Sequence, residues 1–120
     1  MDSAAIEDMF FSLQPISIRR MFGGKGIYRD GIIFAIEFEG DILLKADSET
    51  APLFAAAGST QWGYEGKTGK TVMMPYWSLP EDALDDPEEM QRWARLAFEA
   101  GARSAKAIPT KTASKKGRKS

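Results

Sequence analysis

The sequence predicts an α+β domain in which an antiparallel sheet packs against three helices as a two-layer sandwich. Near the N-terminus and again over residues 86–105, apolar residues recur at the helical spacing of three to four. Between these segments, apolar stretches alternate with Asp-Gly and other glycine-containing turns. Strands joined by such short turns pair antiparallel, so we expect a meander followed by a separate hairpin.

The first predicted element is a helix. Its apolar residues, spaced i, i+3, i+4 and i+7 on one face, are Ile6, Met9, Phe10 and Leu13. Asp2 or Ser3 is expected to cap its N-terminus. Pro15 is expected to end it, because proline disfavours helical geometry in the residue before it.

Four strands and three turns are predicted in the meander. The strands cover residues 17–22, 27–29, 32–38 and 42–45, and the turns are Gly23–Gly26, Asp30-Gly31 and Glu39–Asp41. Asp-Gly between apolar stretches is among the strongest short-range signals for a hairpin. The strand from Ile32 to Phe38 is almost continuously apolar, which predicts a central strand with helices over at least one face.

A short helix and a hairpin follow the meander. Asp47 or Ser48 is expected to cap the helix, and Gly58 is expected to end it in the left-handed conformation. The hairpin strands are predicted at residues 61–65 and 71–76. Pro75 cannot donate a backbone hydrogen bond, so we expect the second strand to end there or to lie at an edge.

The last predicted helix begins after Asp86 as its N-cap and has Pro87 at its first position. Its apolar face consists of Met90, Trp93, Ala94, Ala97 and Gly101. Its charged face places Glu88 before Arg92 and Glu99 before Arg103, the favourable i,i+4 order for ion pairs. We expect Trp93 to anchor this helix against the sheet.

Charge divides the 120 residues into a folded domain over residues 1–105 and a disordered basic tail over residues 106–120. The cations of this tail, which contains no acid, are Lys106, Lys111, Lys115, Lys116, Arg118 and Lys119. Because they contribute six positive charges to a net charge of −1, the preceding 105 residues carry −7. An acidic domain therefore precedes a basic tail.

The chain contains no cysteine and no histidine, which excludes disulfides, thiolate metal sites and imidazole chemistry. We therefore expect no catalytic residue, no metal and no cofactor. The longest apolar stretch, Ile32–Ile36, is far shorter than the ~20 residues of a membrane span. The N-terminus lacks the basic and apolar regions of a secretion signal. These observations favour a cytoplasmic protein without membrane contact.

One segment of the meander is a candidate anion-binding or partner-binding loop. It consists of Arg19, Arg20, Gly23, Gly24, Lys25 and Gly26. Successive backbone N–H groups of a glycine-rich turn can form a concavity for anions, and three cations lie nearby in sequence. The alternative is a tight turn whose glycines adopt positive φ angles. No P-loop is present, because the motif ending at Gly66-Lys67-Thr68 has Gln61 in place of its first glycine.

Three other groups of residues have a simpler interpretation. The carboxylates from Glu81 to Glu89 are interpreted as helix-capping groups, and the methionine and aromatic residues from Met73 to Trp77 as core. The tail is a candidate site for nucleic acid or an acidic partner through Lys111, Lys115, Lys116, Arg118 and Lys119. It has no aromatic residue to stack on bases, so any DNA binding through it should be weak and non-specific. A solubilising tail is the alternative.

Six short motifs, in this order, carry a resemblance to a known family. They are Arg19–Tyr28 (RRMFGGKGIY), Asp30-Gly31, Phe34-Ala35, Leu44–Asp47 (LKAD), Met74–Glu81 (MPYWSLPE) and Trp93–Arg95 (WAR). With them, residues 5–104 resemble the N-terminal domain of the TfoX/Sxy family of bacterial competence regulators. The resemblance implies a two-layer α+β sandwich related to the secretion-chaperone-like class. It implies no catalytic residue.

The resemblance also implies a function. Members of that family are transcriptional co-regulators that switch on DNA-uptake genes together with the cyclic-AMP receptor protein. The best-known members carry a second, helical domain where this chain has residues 106–120. We therefore expect a non-enzymatic regulatory or adaptor domain that contacts a protein partner, such as the transcription machinery. The alternatives are a non-specific DNA-associated protein that uses its tail, and a small-anion or nucleotide binder at the glycine-rich loop.

Overall fold

Six antiparallel strands form one sheet in a computed structural model, which describes residues 2–21 and 23–107. The strands are β1 (Ser17–Met21), β2 (Gly24–Arg29), β3 (Ile32–Phe38), β4 (Asp41–Lys45), β5 (Gln61–Glu65) and β6 (Thr71–Ser78). Their order in the sheet is β1-β2-β3-β4-β6-β5. The meander and the separate hairpin are therefore both confirmed, and β6 rather than β5 joins the hairpin to β4.

Helices cover one face of this sheet. They are α1 (Ser3–Met9), α2 (Ala51–Ala56), α3 (Glu81–Asp85) and α4 (Pro87–Ala107), with a 3₁₀ turn at Phe11–Leu13. Every one of them contributes a side chain to the same hydrophobic core, which gives the predicted two layers. The described part of the chain has four α-helices where three are predicted, because α3 forms within the acidic segment interpreted as capping groups.

The core between the layers is built on aromatic contacts. Phe34 of β3 meets Phe10 edge-on, with ring centroids 5.1 Å apart. On α4, Trp93 is 4% exposed and its ring centroid lies 4.7 Å from that of Phe54 of α2. Trp93 thus anchors α4 against the rest of the core, as predicted.

The predicted N-caps of the first and last helices are observed, whereas the cap predicted for α2 at Asp47 or Ser48 is wrong, because α2 begins after Thr50. Asp2 accepts a hydrogen bond from the backbone N–H of Ala5, and Asp86 accepts one from that of Glu88. Gly58 ends α2 with φ +86°. The helix α4 continues to Ala107, two residues beyond the predicted end of the folded domain. The rest of the predicted tail lies outside the described residues.

Two sequence predictions about strands are wrong. The segment Gly23–Gly26 is not a turn, because Gly24 already begins β2 and pairs with Met21 of β1. A Cβ atom at Gly24 would overlap the backbone carbonyl oxygen of Glu37, so the glycine allows β2 and β3 to approach closely. Pro75 neither ends a strand nor lies at an edge. It lies inside β6, where the pairing with β5 shifts register and no ladder bond is needed from it.

Candidate functional site

The predicted glycine-rich loop is divided between the two faces of the sheet. Successive side chains of a strand point to opposite faces, and directly paired residues share a face. Arg20 pairs with Lys25, whereas Arg19 pairs with Gly26. Arg20 and Lys25 therefore lie on the helix-covered side, and Arg19 and Gly26 lie on the uncovered side. The structure therefore separates Arg19 and Gly26 from Arg20 and Lys25.

A shallow recess of about 470 Å³ nevertheless lies at the tip of the β1–β2 hairpin. It is lined by Arg20, Met21, Gly23, Gly24, Lys25 and Glu37. Glu37 pairs directly with Lys25, is 7% exposed and accepts a hydrogen bond from the N–H of Gly40. A carboxylate thus accompanies the two cations of the recess. The arrangement differs from an anion-binding turn, because Gly24 and Lys25 pair with both neighbouring strands.

The uncovered face of the sheet holds a larger hollow of about 620 Å³, which we call the sheet-face groove. Its lining residues are Ile36, Phe38, Trp62, Tyr64, Met74 and Tyr76, together with Met21, Gly24, Lys25 and Glu37, which also line the recess at the tip of the β1–β2 hairpin. The ring centroids of Phe38 and Trp62 are 5.4 Å apart, although two strands lie between β3 and β5 in the sheet order. In a flat sheet that separation would be roughly 14 Å. The sheet therefore curls, and the β5–β6 hairpin forms one wall of the groove.

Two cations lie beside aromatic rings on this same face. The guanidinium carbon of Arg19 is 5.2 Å from the ring centroid of Tyr28, and the Nζ of Lys45 is 5.2 Å from that of Tyr76. Within residues 2–21 and 23–107, neither cation forms an ion pair. Burial lowers the pKa of Lys45, and the nearby Asp47 carboxylate opposes this shift only in part. Partial desolvation of the Lys45 ammonium is costly, and the ring face of Tyr76 offsets some of that cost.

The two tyrosines are close enough to influence each other. Burial and, as the smaller cause, the neighbouring Tyr28, which disfavours a second negative charge, raise the pKa of Tyr76 to about 12. Tyr76 therefore remains a neutral hydroxyl at physiological pH. It brings a polar group to a groove that is otherwise mainly apolar and aromatic.

A second hollow of about 460 Å³, which we call the helix-face groove, lies between two parts of the helical layer. α1 and the 3₁₀ turn form one side, and α3 and the start of α4 form the other. Phe11 and Leu84, which line it, are 75% and 62% exposed, more than any other large apolar side chain of the described residues. Asp8 and Asp85 also line it. An exposed apolar pair across one groove is typical of an interaction surface.

The charged residues that line the helix-face groove are Asp8 and Asp85, and both are acidic. Its lining residues come from two segments, residues 1–18 and residues 71–91, and neither segment contains a lysine or an arginine. The nearest cation in sequence, Arg92, forms an ion pair with Glu89 at 3.3 Å. The surroundings of this groove therefore complement a positively charged partner.

Asp47 joins the start of α2 to the end of α4. Its carboxylate accepts hydrogen bonds from Arg103 at 2.6 and 3.1 Å and from the backbone N–H groups of Glu49 and Thr50. The hydrogen bond from Arg103 is the main reason that the pKa of Asp47 falls to about 2. Arg103 thus pairs with Asp47 and Glu49, and not with the expected Glu99.

We expect the hydrogen bonds between Asp47 and Arg103 to make the free energy of unfolding depend on pH in the acidic range. Because the pKa of Asp47 is lower in the folded chain than its ordinary value of 3.8, its stabilisation is complete above that pH. It is lost as the pH falls through about 2. After allowance for solvent screening, Asp47→Asn should lower the free energy of unfolding by about 1 kcal/mol at neutral pH. Urea unfolding from pH 7 to pH 2 measures the difference from wild type, which should shrink below pH 4.

Asp82→Asn is the matched control for this prediction. It removes an exposed carboxylate that forms no ion pair within the described residues. Its stability difference from wild type should stay small across the same pH range. If the difference in the free energy of unfolding between Asp47→Asn and wild type stayed constant down to pH 2, the ionisation of Asp47 would not be the source of the pH dependence.

Other sequence features have a limited role in the structure. Asp86 caps α4 as predicted, and no group of three or more metal-ligating side chains lies together in the described residues. No helix within residues 2–21 and 23–107 is long and apolar enough to cross a membrane. The candidate tail residues Lys111, Lys115, Lys116, Arg118 and Lys119 lie outside the described part of the chain.

The interpretation of residues 73–77 as core is wrong for Met73, which is 51% exposed, and the other aromatic and methionine residues are divided between two environments. Trp77 and Trp93 pack in the core between the layers, with Trp77 stacked on Phe54 at 6.3 Å. Trp62 and Met74 belong instead to a smaller cluster on the uncovered face. The alternation along each strand could have separated the two sets, but the position of β6 beside β4 is not encoded in any short motif. The exposure of Phe11 could have been predicted from the sequence, because Phe11 falls outside the apolar face of the first helix.

These features define a small α+β domain with a one-sided helical layer and two open grooves. The sequence model of the TfoX N-terminal domain family matches residues 8–101 of the chain. The chain therefore belongs to the TfoX N-terminal domain family, as its motifs predicted. Membership of this family suggests a competence-related regulatory domain. A search of curated proteins found none that matches the chain.

Proposed function

We propose that the chain is a non-enzymatic regulatory domain that binds a partner protein in the helix-face groove. The observation that carries this proposal is the exposure of Phe11 and Leu84 on the two sides of that groove. Neither side chain belongs to the core, so folding does not account for their positions. Apolar anchors at the centre of a polar rim are typical of protein interfaces.

The charge of the groove defines the kind of partner. Asp8 and Asp85 line it, and the segments that form it contain no cation. A partner segment with an apolar side chain between lysines or arginines would bury Phe11 and Leu84 and pair with these carboxylates. Rim charges mainly raise the association rate, so the interaction should weaken at high salt.

Cross-linking in the native host identifies the partner. A photoreactive benzoylphenylalanine in place of Phe11 should capture a protein, and the same group in place of Leu53 should not. Leu53 is a suitable control because it is 42% exposed but belongs to α2, outside the groove. With the purified partner, Phe11→Ser and Leu84→Ser together should weaken binding at least about tenfold, and Leu53→Ser should leave it nearly unchanged.

Each contrary outcome has a clear meaning. If Leu53→Ser weakened partner binding as much as the double variant, the helix-face groove would not be the interface. If the full chain bound only nucleic acid, and a chain ending at Ala107 did not, the tail would be the binding element. That result would support the DNA-associated alternative. Since Phe11 and Leu84 are exposed, the double variant should unfold within about 0.5 kcal/mol of wild type.

A further inference from the structure

The sheet-face groove has apolar side chains on both of its sides. Met21 of β1 and Tyr64 of β5, which are 40% and 46% exposed, line it from the two edge strands of the sheet. The rings of Phe38, Trp62 and Tyr64 follow one another along it, with centroid distances of 5.4 and 5.8 Å. Because the curl of the sheet brings these rings together, the hollow is concave, and its volume of about 620 Å³ is in the range of small-molecule sites.

The charges of the groove itself balance each other. Among the described residues that line it, only Lys25 and Glu37 are charged. They pair directly across β2 and β3, so their side chains lie side by side on the helix-covered side of the sheet. The Glu37 carboxylate is 7% exposed and accepts a hydrogen bond from the N–H of Gly40. One positive and one negative charge leave the groove without a net charge to balance that of an ion.

The surroundings of the groove also disfavour an ion. The Nζ of Lys45 lies 5.2 Å from the ring centroid of Tyr76, so this lining ring already faces a cation. A cationic ligand at Tyr76 would meet this like charge. An anionic ligand would meet the negative faces of the aromatic rings. In both cases the ligand would lose hydration without gaining a partner of opposite charge, which is costly. The groove therefore suits a neutral molecule.

We propose that the sheet-face groove binds a neutral, planar aromatic molecule of two or three fused rings, which packs against Trp62 and Tyr64 and contacts Met21. Aromatic pairs stabilise each other beyond the area that they bury, and a methionine thioether makes favourable contacts with ring edges. The concave shape favours a small molecule over a second copy of the chain, because in a two-fold interface the same patch must complement itself. The proposal concerns a different surface from the partner-binding proposal, and neither depends on the other.

The test uses quinoline, which is neutral at pH values near neutrality, as the probe and the indole N–H resonance of Trp62 as the readout. This resonance is assigned by its loss in Trp62→Phe. Quinoline should shift it with a Kd below about 2 mM, as expected for a ligand of this size, while the resonance of the buried Trp93 stays in place. Two charged molecules with the same rings, 1-methylquinolinium and quinoline-3-carboxylate, should each bind at least about fivefold more weakly.

Two methionines give a matched pair of variants that locates the bound probe. Met21 and Met73 are 40% and 51% exposed, and Met21 lines the groove whereas Met73 does not. Met21→Ala should weaken quinoline binding at least about threefold, and Met73→Ala should change the Kd less than about twofold. Tyr64→Ala should weaken binding at least about fivefold. Thermal unfolding confirms that each variant is folded, as expected for changes at exposed side chains.

Four outcomes would overturn the proposal. Three of them concern the probe: no shift of the Trp62 resonance up to about 10 mM quinoline, binding of either charged analogue as tight as that of quinoline, and equal effects of Met21→Ala and Met73→Ala. The fourth concerns the other possible occupant and is measured by sedimentation of the chain without probe. Self-association that is lost in Tyr64→Ala would assign the groove to a second copy of the chain.

Discussion

Trp93→Ala should lower the free energy of unfolding by about 3–5 kcal/mol, the largest loss that we expect from a single substitution in this chain. The side chain is 4% exposed and contacts Phe54 in the core between the layers. Its removal leaves a large cavity between α4 and α2, which the surrounding structure can only partly fill. Urea unfolding, monitored by circular dichroism, measures the loss. An unchanged m-value would show that the substitution has not altered the compactness of the denatured state.

Trp93→Phe is a control that separates the loss of ring packing from the removal of the polar indole N–H. The Nε1 of Trp93 is buried without a hydrogen-bond partner, so phenylalanine removes an unsatisfied donor while keeping most of the ring contact. It should cost about 1–2 kcal/mol, clearly less than alanine. A loss below about 1 kcal/mol for Trp93→Ala would contradict the position of α4 on the sheet.

Gly24→Ala should cost about 3 kcal/mol, at the upper end of what overpacking costs. Its Cβ atom would overlap the carbonyl oxygen of Glu37, and a backbone group cannot rotate away as a flexible side chain can. The strands β2 and β3 must separate locally, and both border the two hollows at this end of the sheet. Urea unfolding gives the loss, and the amide resonances of β2 and β3 report where the sheet has moved.

Gly66→Ala provides the matched comparison for Gly24→Ala. Gly66 also has a φ angle that alanine tolerates, and its Cβ atom would lie 3.3 Å from a side-chain methyl of Val72, which can shift slightly. Its effect on stability should stay within about 1 kcal/mol in either direction. Equal losses at the two positions would show that the close approach of β2 and β3 is not what requires glycine at position 24.

Local patterns predicted the fold well because most elements carry their own signals. The Asp30-Gly31 turn adopts positive φ at both residues, and Asp2 and Asp86 cap their helices as expected. The errors arose where tertiary contacts override a local preference. Glycines at 24 and 26 predict a turn, but here they allow strand and side-chain packing that larger residues would block.

The candidate surfaces were harder to predict than the fold. The contact of Trp62 with Phe38 depends on the curl of the whole sheet and on β6 lying beside β4. Lys45 belongs to the LKAD motif, but its position over Tyr76 follows from a strand pairing between residues 31 positions apart in the chain. Such long-range pairings leave no periodic trace in a single sequence.

The short ladder between β4 and β6 gives the β5–β6 hairpin a particular dynamic character. β4 pairs with β6 through Leu43, Leu44 and Lys45, whereas β2 and β3 are joined along nearly their whole lengths. Because Trp77 of β6 packs in the core, we expect the outer strand β5, which pairs with β6 alone, to open at a lower free energy than the central strands. The wall that carries Trp62 can therefore move outward while the core between the layers stays closed, and the sheet-face groove can adapt its width to what it holds.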